Sequence, residues 1–231
     1  MKIGSLLFEK LDQIDMTGPF EVLSRLPNAE HRLYGLTADP VRDIMGLRFS
    51  PDATIHDAPQ LDVLHIPGGP GQEALMDNEA LHEWLRAQAS GATKVFSVCT
   101  GALILGGAGL LRGRHATTHW ASHALLPLFG ATAVDKRVVE DGKFIFAAGV
   151  TAGIDGALTL AADLCGPDVA QRIQLEIAYA PEPPFHSGTP ESAPPAVLAA
   201  ARAAAAELLA RRQATAKRFA ERFGIAFGTV E

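Results

Sequence analysis

Short apolar runs rich in β-branched residues alternate along the chain with longer segments whose apolar positions recur at helical spacing. Lys2 to Phe8, His31 to Thr37 and Asp62 to Ile66 read as buried strands, and so does the run carrying Val95, Phe96 and Val98. Glu9 to Asp15 reads as a polar loop, with Thr17 as the N-cap of a helix running through Phe20 and Leu23. Glu73 to Ala89 carries Leu75, Leu81, Trp84 and Leu85 at helical spacing. Farther on, Ala116-Thr117-Thr118 reads as extended and His119 to Phe129 as helical. Val134 to Glu140 and Lys143 to Ala148 flank Asp141-Gly142, a type I′ hairpin signal. Thr151 to Leu164 and Asp168 to Ala180 read as two further helices. This alternation predicts an α/β fold, a mostly parallel sheet with helices on both faces. Ligands of such sheets bind outside the carboxyl ends of the strands, where Asp15, Gly68-Gly69 and Cys99 are all expected. Residues 1–180 are read as the chemistry-bearing domain. Residues 181–231 follow as a Pro/Ser/Gly-rich connector and an Ala-rich helical tail. Its amphipathic basic end, Arg211 to Phe223, is expected to pack on the domain or on a second subunit.

Cys99 stands where the strand pattern gives way to the small and apolar run Gly101-Ala102-Leu103-Ile104-Leu105. A thiol on a strand-to-helix turn, with small residues beside it, has the placement of a nucleophile elbow. The helix start should favour thiolate, the nucleophilic form. The alternative is an inert buried cysteine. Cys165, before Gly166-Pro167, reads as core.

Composition narrows the function classes. The 231 residues carry 20 Lys plus Arg against 26 Asp plus Glu, a net charge of −6 without a basic stripe, which disfavours nucleic-acid binding. No run has the length and apolarity of a membrane helix, and the N-terminal apolar stretch is too short for a signal peptide. Two cysteines form no disulfide framework, so a reducing cytoplasm is the expected location. His115, His119 and His123 have spacing suited to a metal face on a helix. Ala116-Thr117-Thr118 interrupts it, so no metal or other cofactor is expected.

Four segments together resemble the ThiJ/PfpI superfamily, whose members share a flavodoxin-like, class I glutamine-amidotransferase-like fold. They are Ile66-Pro67-Gly68-Gly69, Ser97-Val98-Cys99-Thr100-Gly101, Thr117-Thr118-His119-Trp120 and Thr151-Ala152-Gly153-Ile154-Asp155. Within it, Asp15-Met16-Thr17-Gly18-Pro19 combined with Cys99-Thr100 is similar to enzymes that hydrate isonitriles. The resemblance implies Cys99 as nucleophile, Asp15 as catalytic acid and base, and Thr100 as an essential hydroxyl. It also implies a small-molecule isonitrile substrate and a homodimer.

Isonitrile hydration would proceed by thiolate addition to the terminal carbon, a thioimidate, and attack of water to leave an N-substituted formamide. Asp15 would then need a pKa raised toward neutrality by burial or by the neighbouring thiolate. The backbone N–H groups of Thr100 and Gly69 offer a candidate oxyanion hole, with Gly68 shaping the turn and His119 lining the pocket. Simpler roles exist for each: Asp15 as a helix cap, Thr100 as a helix start, Gly68-Gly69 as a tight turn, His119 as a structural histidine. Two other functions fit the same fold. One is a glyoxalase or deglycase on small α-oxoaldehydes, and the other a non-catalytic sensor or stress protein. The motifs also occur in sensor halves of AraC-type regulators, whose helix-turn-helix region is not expected before Glu231.

Overall fold

The structure, a computed structural model, describes residues 1–226. Its first strand, β1 (Lys2–Leu7), is followed by α1 (Gln13–Leu23), β2 (Glu30–Gly35), β3 (Val41–Arg42), β4 (Arg48–Phe49) and β5 (Ala53–Thr54). Next come β6 (Val63–Ile66), α2 (Glu79–Gly91), β7 (Lys94–Val98), α3 (Gly101–Gly107), β8 (His115–Ala116) and β9 (Thr132–Ala133). The hairpin β10 (Val138–Asp141) and β11 (Phe144–Ala147), then α4 (Ala152–Cys165), α5 (Pro167–Glu176) and α6 (Pro195–Arg222) complete the order. Two 3₁₀ segments, Pro70–Leu75 and Trp120–Phe129, matter for the site.

A seven-stranded sheet in the order β10-β11-β7-β6-β1-β2-β5 forms the centre. Every pairing in it is parallel except β10 with β11. Both faces are apolar because both are covered. One packs Leu64, Val95, Phe144 and Phe146 with α2, α3 and the Trp120–Phe129 segment. The other packs Ile3, Val63, Phe96 and Ile145 with α1, α4 and α5. Phe96, Phe129, Phe144 and Phe146 are fully buried, each worth roughly 2–3 kcal/mol of apolar transfer. The α6 tail lies on its own sheet domain, against both 3₁₀ segments. Residues 227–231 of the expected tail lie outside the described residues.

Four local expectations need correction. The first helix begins at Gln13, capped by Asp12, whose carboxylate accepts from the Ile14 N–H (3.2 Å). Thr17 is therefore interior, its hydroxyl donating to the Gln13 carbonyl (2.9 Å), and Asp15 lies in the first helical turn, not in a loop. The helix expected over Glu73 to Ala89 is two pieces, because Asn78 caps α2 by accepting from Leu81 N–H (3.0 Å). Trp120–Phe129 is 3₁₀ rather than α-helical; Pro127 lacks the N–H an α ladder would use there. In the β10–β11 turn the central residues are Gly142 and Lys143, and only Gly142 has positive φ (60°). That fits a turn of the II′ kind instead of I′.

Candidate active site

Strand β7 runs directly into Cys99, whose φ of 55° is in the left-handed region. For a residue with a Cβ that conformation costs on the order of 1–3 kcal/mol, and the surroundings hold it. The Cys99 N–H donates to the Ala147 carbonyl (2.9 Å), and the Thr118 hydroxyl donates to the Cys99 carbonyl (2.7 Å). Gly101 lets α3 start against the end of β6, since a Cβ there would collide with the Ile66 carbonyl. The strain turns the thiol out of the sheet toward α1 and the turn after β6.

Asp15 meets it there. The side chain is fully buried, and Oδ2 accepts from the Gly68 N–H (2.9 Å). Oδ1 is buried with no protein partner, and the Cys99 thiol lies beside the carboxyl. Burial, with help from Asp12, pushes the Asp15 pKa from 3.8 to about 8. An oxygen buried without a partner favours the neutral carboxyl, because a carboxylate charge there would go largely unsolvated. Behind Asp15, Pro19 lacks the N–H that would bond the Asp15 carbonyl in a regular helix. The His65 ring lies against that carbonyl without closing a full hydrogen bond, and its Nδ1 is bonded to Ser5 Oγ (2.7 Å).

The expected stabilisation of thiolate by the helix start is not what the geometry produces. Burial, then the neighbouring Asp15, pushes the Cys99 thiol well above its ordinary value, and the Thr100 N–H and Arg212 only partly oppose this. Helix α3 spans Gly101–Gly107, too short and too enclosed to outweigh desolvation. Cys99 and Asp15 thus form a pair that holds its protons to unusually high pH.

Gly68 must be glycine. A Cβ would sit 2.5 Å from the Thr100 nitrogen and 2.8 Å from Asp15 Oδ2. Of the two candidate oxyanion donors, Gly69 N–H is already engaged, donating to Thr100 Oγ1 (3.1 Å), whereas Thr100 N–H faces the Cys99 sulfur; Gly68 N–H donates to Asp15. The Thr100 hydroxyl in turn reaches the Gly69 carbonyl (3.3 Å). His119 caps the Trp120–Phe129 segment, its Nδ1 accepting from Ala121 N–H (3.3 Å). That leaves Nε2 as the protonated nitrogen of a neutral ring, and burial followed by the field of Arg212 lowers its pKa. His115 lies in β8, His119 at a cap and His123 in the 3₁₀ segment, so they share no helical face. Among the described residues no cluster of side chains has the makings of a metal site. Cys165, at the end of α4, is half-buried against the core and far from this chemistry in sequence.

One residue escaped the sequence reading. Arg212 of α6 is buried and reaches into the site, donating from Nη2 to the Gly69 carbonyl (3.0 Å) and toward Thr100 Oγ1 (3.5 Å). Nε donates to Gln72 Oε1 (2.7 Å) and Nη1 to Ser122 Oγ (3.3 Å). A signal was present: Arg212, Thr215, Ala216, Phe219 and Ala220 recur at helical spacing and are the buried face of α6. An arginine on that face has to point at something polar. Beside the elbow a cleft of about 370 Å³ opens between Thr118, Trp120, His123, Lys136, Gly149 and Arg202. It shares Thr118 with the elbow.

A strained cysteine on a strand-to-helix turn, in a parallel sheet covered on both faces, defines the class. This chain belongs to the DJ-1/PfpI family, whose model matches residues 1–163. It is 48% identical to the isonitrile hydratase of Pseudomonas putida over 97% of this chain and 99% of that one. A THiJ/PfpI family protein from Pseudomonas syringae has a crystal structure that superposes with a TM-score of 0.91. That similarity comes at 36% identity and covers 93% of this chain and 90% of the other. A glutathione-independent glyoxalase of Caenorhabditis elegans is 27% identical over 58% of this chain and 73% of its own.

Proposed function

We propose that this chain is an isonitrile hydratase acting through Cys99 and Asp15. The observation that carries the mechanism is the buried Asp15 carboxyl, held protonated beside the Cys99 thiol with one oxygen unpartnered. The similarity to the Pseudomonas putida enzyme over nearly both whole lengths supports the substrate class. At neutral pH the pair carries two protons; the first to leave is the Asp15 proton, and transfer of the thiol proton to that carboxylate gives the reactive form, a thiolate facing a carboxylic acid. Sulfur adds to the isonitrile carbon as Asp15 delivers its proton to the same carbon, forming a thioimidate, R–N=CH–S–Cys99. The Asp15 carboxylate then takes a proton from water as the water oxygen attacks that carbon, and passes the proton to nitrogen. Collapse of R–NH–CH(OH)–S–Cys99 expels the thiolate, returns a proton to Asp15 and releases the N-substituted formamide. Thr100, placed by Gly69 and Arg212, holds its hydroxyl where the developing charge on nitrogen and the entering water pass.

Purified protein offered cyclohexyl isonitrile and, in parallel, methylglyoxal tests this reading. Formamide from the first and no lactate from the second is the expected outcome. Lactate without formamide would assign the glyoxalase reading, and binding without turnover of either the sensor reading.

The protein is read as a homodimer in a reducing cytoplasm. Ile44, Met45 and Leu47 are exposed together at the β3–β4 tip, Met45 at 86%, an apolar surface that a second copy would cover. Both cysteines are free thiols. No helix of the described residues is long and apolar enough to cross a membrane.

A further inference from the structure

Burying a guanidinium without a counter-ion costs several kcal/mol unless another charge compensates it. Arg212 is 7% exposed, and all four of its acceptors are neutral: Gln72, Ser122, the Gly69 carbonyl and Thr100. The nearby carboxylate, Glu73, is engaged by Arg211 (4.0 Å) and the Thr215 hydroxyl (3.3 Å). Among the described residues, then, no carboxylate is bonded to Arg212; Glu73 favours its charge only from a distance, after the Cys99 sulfur. The hydrogen bonds fix where its charge sits, two of them through the Gly69-Thr100 pair that adjoins the thiol.

A cation held this way, with its neutral bonds satisfied and no anion bonded to it, is complementary to a charge that exists only part of the time. We propose that Arg212 is a positioning residue whose counter-ion is the anion formed when the Cys99–Asp15 pair loses its first proton. It would also set the Thr100 hydroxyl by occupying the Gly69 carbonyl. This rests on the Cys99–Asp15 chemistry proposed above but not on which substrate is turned over. The charged groups facing the pair are Asp12, at the cap of α1, and Arg212 from α6, while Glu73 from the 3₁₀ turn, Arg211 and His119 face Arg212. Asp12 and Asp15 oppose a thiolate, and His119 stays neutral. Arg212 is the group on that roll that both lies buried and favours the anion.

The same geometry explains why a C-terminal helix belongs to the site. Residue 212 is 113 positions beyond the cysteine in sequence (212 less 99), yet its guanidinium bonds the residue next to it. A displaced α6 would leave the fold of the sheet intact and the pair uncompensated.

The test is the pH dependence of Cys99 alkylation by iodoacetamide, followed on the Cys99 peptide by mass spectrometry so that Cys165 does not contribute. It needs no substrate and therefore stands apart from the isonitrile assay. Arg212→Gln, which keeps a donor for the Gly69 carbonyl but no charge, should move the alkylation midpoint up by about one unit or more. The neutral-pH rate should then fall ~10-fold. Arg212→Lys keeps the charge and should recover most of the shift. Citrulline at position 212, introduced by ligating a synthetic C-terminal segment, keeps the side-chain shape and should behave like Arg212→Gln. It serves where the glutamine variant does not fold. A wild-type midpoint in a folded neutral variant overturns the proposal. So does a lysine variant shifted as far as the neutral ones, because a purely structural arginine would leave charge without effect.

Discussion

Replacing Asp15 with asparagine isolates what burial does to this carboxyl. The folded protein keeps the Asp15 proton until about pH 8, whereas the unfolded chain releases it near 3.8. A raised acid contributes stability that is fully present below 3.8 and lost as pH climbs toward 8. Each unit is worth about 1.4 kcal/mol, so from 3.8 to neutrality the loss is on the order of 4 kcal/mol. Two buried histidines act in the other direction. His31 and His65 are lowered from 6.5 to about 4 and about 3, chiefly by burial, so both gain stability as pH rises toward 6.5. Subtracting Asp15→Asn from wild type removes their contribution, since both proteins carry it. Asparagine still offers an oxygen to the Gly68 N–H, so the fold should persist. Urea unfolding followed by circular dichroism, from mildly acid to mildly alkaline conditions, should show the variant gaining on wild type steadily as pH rises. A difference that stays flat, or moves the opposite way, would refute the claim that Asp15 is protonated in the folded state. Turnover should fall at least ~100-fold in the same variant, because an amide neither gives nor takes a proton.

Rapid quenching of wild type with an isonitrile should leave the Cys99 peptide heavier by the mass of the isonitrile, whereas Cys99→Ala should show neither adduct nor activity; an active alanine variant would remove the nucleophile. Gly68→Ala places a methyl 2.5 Å from the Thr100 nitrogen, and should lower kcat by more than ~10-fold while costing about 1–3 kcal/mol of stability, measured by steady-state kinetics and thermal melts. Light scattering should give a dimer for wild type and a shift toward monomer for Met45→Glu; a wild-type monomer at micromolar concentration contradicts the homodimer.

The strands and the elbow could be read from the sequence because their apolar runs are short, β-branched and bounded by turn residues. The first helix was harder. Thr17 before Gly18-Pro19 has the look of a cap, yet Asp12 caps α1 earlier and Pro19 sits inside the helix, where its missing N–H frees a carbonyl that faces His65. Thiol acidity could not be read either, because it depends on how deeply α1, the Gly68 turn and α6 enclose sulfur. The sequence shows a cysteine before a helix start, which lowers a pKa; the fold adds desolvation and a carboxyl, which raise it more. Arg212 was missed for a related reason. Its partners, Gly69 and Thr100, lie more than 100 residues away, and a basic helical tail is ordinarily a solvated surface. Only its position on the apolar stripe of α6 set it apart.

The central claim is hydration at a cysteine–aspartate pair, and the product formed in heavy-oxygen water tests it most directly. Wild-type protein turning over an isonitrile should give one organic product, the N-substituted formamide, carrying a single solvent-derived oxygen by mass spectrometry. Free amine with formate, or formamide without the heavy oxygen, would contradict it.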